Sequence, residues 1–421
     1  MSKWQVQVTS PPHVMLSSDY SQQEPKLLSF VAKDSKMCDA FQHGRDIYAT
    51  IAGISFNMPY EKCLEFHPET HEYQPDGKAR RSEAKTIVLG ITYGRSVTTI
   101  ADQLFGSDET LTQEQKIAKA QKVYDSVLLA FPQLRTFMNQ MQGLARKQGY
   151  VETILGRRRH IPDMQLPEFE FVPMPGYVNP DINPLDLSTL TNKDAIPKRI
   201  VNQLETEFKQ YKYFGQIARR TRELAEQKIR VINNRPKITE ASRKVVNSIV
   251  QGSAAELTKM AMLALEHDPD WNRIGGKLIL PVHDELIAEV PIEYWKEGGE
   301  ILSRVMSEAG SFLPFTISCD VTTTLRWYGL EYPCKYSRPA SIDTVEPDEV
   351  AWIQYHLVEL EYLMPVFKES DGSKPRGDKA VGVNGRISDE YQAAIMDYMN
   401  RYRLRPDQVI DHIDKKVVEG V

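Results

Sequence analysis

RSEAKTIVLGITYG, residues 81–94, is the stretch whose reading decides the fold. Ala84, Ile87, Val88 and Ile91 recur at i, i+3, i+4 and i+7, which makes one apolar stripe on a helix. Arg81, Lys85, Leu89 and Tyr93 follow each other at intervals of four on the other side. Each such step turns the helix by about 40°, so neighbours share a face and the row winds slowly. Two cations one turn apart suit a triphosphate, and the aromatic beyond them suits a base. The same pattern also suits an amphipathic helix with a wet basic side. Gly94 follows the last turn as a C-cap.

Upstream, residues 13–18 (HVMLSS) read as a short buried strand running into Asp19, and residues 39–52 as a helix. Residues 57–79, with Pro59, Pro68, Pro75 and Gly77, read as a loop. Downstream, a helix begins at Thr112 with Gln115 as its capping-box partner, and another spans 133–148. Residues 150–161 read as a hairpin around Leu155-Gly156, and the Pro- and Asn-rich 164–190 as an irregular loop or insertion. A charged helical stretch covers 198–230, and a long helix 242–266 carries Arg243, Asn247 and Gln251 at i, i+4 and i+8. Amide and guanidinium groups in such a row can donate to base edges and sugars, although a solvated polar stripe has the same spacing. Residues 277–290 form two apolar runs around His283-Asp284-Glu285, a tight hairpin. After Tyr332 come helical segments at 347–367, 389–403 and 407–419, with a Gly/Lys-rich linker at 369–386.

Asp19 and Asp284 are carboxylates that strands would deliver to their ends. Such a pair can hold two Mg²⁺ ions, since Mg²⁺ favours carboxylate oxygen plus substrate phosphate over an all-protein cage. Nothing in the sequence closes the separation of 265 positions from one to the other. Hairpin-tip acids are also ordinary solvated turn formers.

The 421 residues leave room for two or three domains, and 41% hydrophobic residues suffice for a core. Cys38, Cys63, Cys319 and Cys334 are widely spaced, which excludes a zinc ribbon or disulfide scaffold and fits a reducing cytoplasm. Neither an 18-residue apolar run nor a leader-like N-terminus is present, so no membrane association is expected. Net charge is -5, which alone argues against nucleic acid. The charge is uneven, however. Residues 195–244 carry 13 basic against 5 acidic side chains, and windows at 145–160 and 78–95 each carry five against one. Clustered cations are the footprint of phosphate binding, or else solvated helix faces. Residues 335–421 are acidic, with 12 basic against 16.

Taken in order, these motifs resemble the family A DNA polymerases. Asp19-Tyr20-Ser21-Gln22-x-Glu24 is similar to the first palm motif of that family. Arg81-x-x-x-Lys85-x-x-x-Leu89-x-x-x-Tyr93-Gly94 is similar to its fingers motif. Arg243-x-x-x-Asn247-x-x-x-Gln251-Gly252 and His283-Asp284-Glu285 resemble its other palm motifs, and the 149–153 and 156–163 segments match as well. The resemblance covers residues 12–163 and 240–330. It implies an α+β fold: a palm with a small antiparallel β-sheet backed by helices, a mainly helical fingers domain, and a small helical C-terminal tail. The expected division is palm at 1–46, fingers at 47–238 with an insertion at about 164–238, palm again at 239–333, and an extension at 334–421.

The implied function is template-directed DNA synthesis, adding dNTPs to a primer 3′-hydroxyl by two-metal phosphoryl transfer. Asp19 and Asp284, with the Tyr20 carbonyl, would ligate two Mg²⁺, for which Mn²⁺ can substitute. Arg81 and Lys85 would hold phosphates, and Lys85 would protonate the leaving group. Gln22, Leu89 and Tyr93 would line the nucleotide site, and Glu24 would exclude a 2′-hydroxyl. Arg243, Asn247 and Gln251 would track the primer-template minor groove, His283 would contact the primer terminus, and Glu285 would support them.

The sequence also departs from the family pattern. Gln23, Pro25 and Lys26 replace Ile, Leu and Arg, and Pro25 is expected to re-aim the chain beyond Glu24. Leu89 stands where a ring is usual and Tyr48 where a phosphate-contacting His is common. Only eighteen residues precede Asp19. The expectation is therefore a phage-type, split polymerase whose thumb and exonuclease parts come from a separate N-terminal chain, acting in the cytoplasm of a host. The acidic tail is expected to dock a replication partner. A non-catalytic DNA-binding subunit or inactive fragment with the same fold stays open, as does another two-metal enzyme such as a nuclease.

Overall fold

A computed structural model describes residues 13–181, 195–211, 213–325, 332–360, 362–363 and 387–419. In chain order the elements begin with β1 (His13–Tyr20), α1 (Gln23–Ala32), α2 (Ser35–Gln42), α3 (Ile47–Phe56), α4 (Pro75–Thr92), α5 (Val97–Phe105), α6 (Gln113–Ala130) and α7 (Pro132–Gln148). Then come β2 (Tyr150–Glu152), β3 (Arg158–His160), β4 (Phe169–Pro173), α8 (Lys198–Gln210), α9 (Phe214–Glu226), β5 (Ile229–Asn233), α10 (Arg235–His267) and α11 (Pro269–Arg273). The last are β6 (Lys277–Val282), β7 (Glu285–Pro291), α12 (Trp295–Ala309), β8 (Cys319–Thr324), α13 (Pro347–Glu359), α14 (Asp389–Tyr402) and α15 (Val409–Glu419). Mixed helix and small antiparallel sheets match the expected fold class. Among the described residues no helix is long and apolar enough to cross a membrane.

The chain divides into two compact units. One comprises residues 1–30, 41–44 and 253–421, and the other 31–40 and 45–252.

In the first unit, four antiparallel strands run in the order β6-β7-β1-β8. β1 is central because Val14, Met15 and Leu16 are all buried, so both its faces are covered there. Each such side chain stabilises the fold by roughly 1.5–3 kcal/mol when taken out of water. α12 backs the sheet: a Cβ on Gly298 would lie 2.9 Å from the Val290 side chain, so the missing side chain permits that approach. α13, α14 and α15 gather around their own apolar cluster, which includes Trp352, Tyr391, Tyr398 and Ile413.

The second unit is mostly helical. Residues 39–52, read as one helix, belong in part to the first unit (41–44) and are broken between α2 and α3: Gly44 takes φ 65 and Asp46 caps α3 through Ala49 N at 2.9 Å. α4 starts at Pro75, inside the stretch read as a loop, because proline is tolerated at the first helical position. α5 was not foreseen. The Thr112–Gln115 capping box forms as expected. The 164–190 stretch is not wholly irregular, because β4 pairs with β5 under α8 and α9, around Phe169, Phe171, Leu204, Phe208, Leu224 and Ile229. Residues 182–190 and the 369–386 linker lie outside the described residues.

Candidate functional site

In the first unit, strand pairing does what sequence spacing could not. Asp19 stands opposite Glu285 on β7 and opposite Asp320 on β8. Facing residues of an antiparallel ladder have Cα atoms about 5 Å apart and project to the same side. Asp284 is the residue before Glu285, in a two-residue turn in which His283 takes φ 59. Asp19 at the end of β1 and Asp284 in the turn that opens β7 are therefore distant in sequence but one register position apart across the β1–β7 pair. The Ser17 hydroxyl donates to the Glu285 carboxylate, which is 5% exposed, and so fixes it within the sheet. Asp19 and Asp284 are half-buried and Asp320 is exposed.

Asp320 escaped the sequence reading. Its strand, CDVTTT, is polar and β-branched with no motif around it, and only the register with β1 brings it to Asp19. Its field is felt locally. Burial pushes the Cys319 thiol up to about 11, against hydrogen bonding from Ser307 and the charge of Lys26, with Asp320 and Asp19 adding to the rise. Burial likewise lowers the Lys26 ammonium below its ordinary value, while Cys319 and Asp320 oppose that change. Lys26 donates to the Thr316 carbonyl at 3.1 Å.

The chain beyond Asp19 turns sharply. Tyr20 is buried, its hydroxyl donating to the Met306 carbonyl at 3.0 Å, and burial raises its phenol well above the ordinary range. Gln22 takes φ 55. Gln23 is buried and donates to the Ala254 carbonyl and the Thr258 hydroxyl, both at 3.4 Å. Glu24, half-buried, lies in the first turn of α1. Pro25 does not re-aim the chain as expected. It sits in that same first turn, where its missing N–H has no intrahelical partner to lose.

A divalent cation fits the chemistry of this strand end. Among the described residues no group of three or more His, Cys, Asp or Glu is arranged as a metal cage. Asp284 makes no hydrogen bond or ion pair among them. The donors that the sequence reading expects, oxygens of two aspartates and a neighbouring backbone carbonyl, would make a sparse set of the kind that suits Mg²⁺ completed by substrate.

The second unit carries the 81–93 row. Ala84, Ile87, Val88 and Ile91 are buried as expected, Lys85 is exposed, and Arg81, Leu89 and Tyr93 are half-exposed. Arg81 is held: its Nε and Nη2 donate to one Asp46 oxygen at 2.9 and 2.7 Å, while the other oxygen caps α3. The Arg81 guanidinium also lies 5.4 Å from the centre of the buried Tyr48 ring. Lys85 has no ion pair among the described residues. Burial raises the Glu83 carboxyl above its ordinary value, opposed by Arg80.

Two glycines join this unit's motifs. Gly94, at φ 61, is so close to α10 that a Cβ would lie 2.8 Å from the Arg243 Cα, so the end of the 81–94 stretch abuts the start of the 243–251 row. A Cβ on Gly252 would lie 2.6 Å from Thr153 Cγ2, and Arg157 Nη2 donates to the Gly252 carbonyl at 3.4 Å. Arg243 and Gln251 are exposed, and Asn247 is half-buried with its Oδ1 lacking a hydrogen-bond partner. Sequence reasoning missed Asp46, which carries only a helix-cap signal, while Thr153 and Arg157 lie in the 149–153 and 156–163 segments that resemble the family without a role attached to either.

A family model described as DNA polymerase family A matches residues 5–171 and 196–329, more than half of the chain. DNA polymerase I of Lactococcus lactis subsp. cremoris is 27% identical over 76% of this chain and 27% of its own length. The thermostable DNA polymerase I of Thermus aquaticus is 28% identical over 70% of this chain and 24% of its own. The chain thus spans about a quarter of the length of these curated relatives. A solved structure, the POL domain of Pol1 from M. smegmatis in complex with DNA primer-template and dNTP, aligns with a TM-score of 0.50 at 21% identity. That alignment covers 76% of this chain and 41% of the other, a likeness of fold. With the family model matched over more than half of its length, the chain belongs to DNA polymerase family A.

Proposed function

We propose that this chain carries out the chemical step of template-directed DNA synthesis, adding dNTPs to a primer 3′-hydroxyl. The observation that carries the proposal is the register of β1 with β7, Asp19 opposite Glu285, with Asp284 next in the chain. Carboxylates on adjoining strand ends, one of them without a protein partner, suit metal-assisted phosphoryl transfer. Asp19, Asp284 and the Tyr20 carbonyl would hold two Mg²⁺, or Mn²⁺ in their place. When bound, the ions would make the 3′-hydroxyl a better nucleophile and offset charge on the triphosphate. Glu285, tethered by Ser17, keeps the strand end in place.

The cations of α4 take the phosphate role. Arg81 and Lys85 bind phosphate oxygens, and the exposed Lys85 ammonium delivers a proton to the departing pyrophosphate. Tyr93 packs by the templating base, Leu89 and Gln22 line the nucleotide site, and Glu24 excludes a 2′-hydroxyl. Arg243, Asn247 and Gln251 track the primer-template minor groove, where the unpartnered Asn247 Oδ1 supports a polar ligand, and His283 meets the primer terminus. As a partner for this chain we assign an N-terminal polymerase chain carrying thumb and exonuclease parts. The four unpaired cysteines support action in a reducing cytoplasm, that of the host if the chain is phage-borne. The acidic C-terminal helices suit a replication partner rather than DNA.

The test is Mg²⁺-dependent primer extension, by the chain alone and with its candidate thumb-bearing partner. Asp19→Ala and Asp284→Ala should each abolish extension while DNA binding persists. Extension surviving either change would refute the metal assignment. Lys85→Ala should impair nucleotide use more than DNA binding, and equal losses would make Lys85 a DNA contact instead.

A further inference from the structure

The insertion spanning β4 to β5 is a folded module with a charge excess that its own contacts leave unspent. Four of its arginines are absorbed: Arg199 by Asp181, Arg219 and Arg220 by Glu223, Arg220 also by Glu207, and Arg235 by Glu168. Lys198, Lys209, Arg222, Lys228, Arg230 and Lys237 are exposed and have no ion pair among the described residues. Against these six stand, among the described residues, the unpaired carboxylates Glu170, Glu205 and Glu226. The excess is ordered by helix geometry. Lys198 and Lys209 are eleven residues apart on α8, three turns, and so share one edge. On α9, Phe214, Ala218 and Arg222 follow at i, i+4 and i+8.

Beside these cations are two aromatic rings with no packing duty. Tyr213 is 71% and Phe214 79% exposed, at the start of α9. The module's core is already filled by Phe169, Phe171 and Phe208, whose rings pack on one another, so the outward pair is surplus to folding. The module is anchored at the head of α10, where Asn234 Nδ2 donates to the Pro167 carbonyl at 3.1 Å and Arg235 lies over Phe169. That helix carries the Arg243, Asn247 and Gln251 row from its third turn onward.

We infer that this module is a second nucleic-acid contact, which grips single-stranded DNA by phosphate pairing to its unpaired cations and by base stacking on Tyr213 and Phe214. The sign of the charge selects a polyanion, and exposed rings among cations select unpaired bases over duplex, whose bases are already stacked. None of these residues is among the strand-end carboxylates, so a chain inactive in synthesis would still show the binding.

The test is fluorescence anisotropy of labelled oligo(dT) and of a duplex of equal length, with the full chain, across salt concentration. In a fivefold variant (Lys198→Gln, Lys209→Gln, Arg222→Gln, Lys228→Gln, Arg230→Gln) the slope of log affinity against log salt should fall by about 3.5, at roughly 0.7 per lost single-strand phosphate contact. Tyr213→Ala with Phe214→Ala should weaken oligo(dT) binding by about tenfold or more and leave that slope unchanged. The same losses should appear in an Asp19→Ala background, which separates this site from polymerase activity. Lysine-to-arginine changes at 198, 209 and 228 should retain binding, which guards against a folding artefact. An unchanged slope, or a silent aromatic variant, or equal losses on duplex and single strand, would overturn the inference.

Discussion

Asp46 does two jobs, and they can be separated by one atom. One carboxylate oxygen caps α3 through Ala49 N, and the other receives two N–H donors of Arg81. Removing a helix N-cap costs about 1 kcal/mol. The Arg81–Asp46 side chains are 30% and 17% exposed, between the surface limit of about 1 kcal/mol and the several lost when a buried pair is broken, so about 2 is reasonable. Asp46→Ala should therefore destabilise α3 and α4 by about 3 kcal/mol, and Asp46→Asn, which keeps a capping oxygen, by about 2. The described tryptophans, Trp271, Trp295 and Trp352, lie outside the second unit, so fluorescence is a poor reporter of the effect. Hydrogen exchange of peptides covering 47–56 and 81–92 reads it directly. Protection there should fall about 100-fold for the alanine variant and about 30-fold for the asparagine variant. Equal losses in the two variants would show that the cap carries no weight, and a loss under about threefold in both would sink the account of Arg81 as a held side chain. Because the same guanidinium is proposed to bind phosphate, saturating dNTP should restore part of the protection lost in Asp46→Asn but none in Arg81→Ala.

Two other perturbations follow from the packing. Gly252→Ala puts a methyl group 2.6 Å from Thr153 Cγ2 and should cost about 1–3 kcal/mol. Thr153→Ser removes that methyl while keeping the hydroxyl that accepts from Arg157 N at 3.1 Å, so the double variant should recover most of the loss in thermal melting. His356 is buried beside Trp352 and its Nδ1 is 2.8 Å from the Trp352 carbonyl; burial holds its imidazole below the ordinary value, against the charge of Asp414. The unfolded chain takes up a proton as pH falls below about 6.5 while the folded chain does not, so stability present above that pH is lost on further acidification. Trp352 fluorescence should report earlier melting at pH 5.5 than at 7.5, and a smaller difference in His356→Gln; identical pH responses would rule the imidazole out.

Local pattern made some of this legible and non-local pairing hid the rest. The 81–91 stripe, the Thr112 cap and the hairpin at 283–284 each declare themselves within a few residues, and the structure has all three. The 39–52 helix was over-read because its apolar positions stay in phase across Gly44, whose positive φ the hydrophobic pattern does not record. β4 was lost among prolines because five residues, FEFVP, are too few to show a period. Glu285, Asp284 and Asp19 were each visible, yet only family resemblance linked them, since strand register is a property of pairs and not of either strand. Asp320 and the Arg81–Asp46 clamp show the same limit. No spacing rule joins residues 35 or 301 positions apart.

The placement of β1 at the middle of its sheet has a consequence for synthesis on the ribosome. Its two neighbours, β7 and β8, lie about 270 and 300 residues further along the chain. At roughly 5–20 residues per second, the strand bearing Asp19 waits about 15–60 s with both hydrogen-bonding edges unsatisfied. An apolar strand, Val14-Met15-Leu16, open on both sides for that time is a template for wrong partners. The Ser17-Ser18-Asp19 run that follows is polar, and in the nascent chain it would keep half of that edge hydrated. The carboxylate proposed to hold metal in the finished protein would then also act as a gatekeeper while the protein is being made.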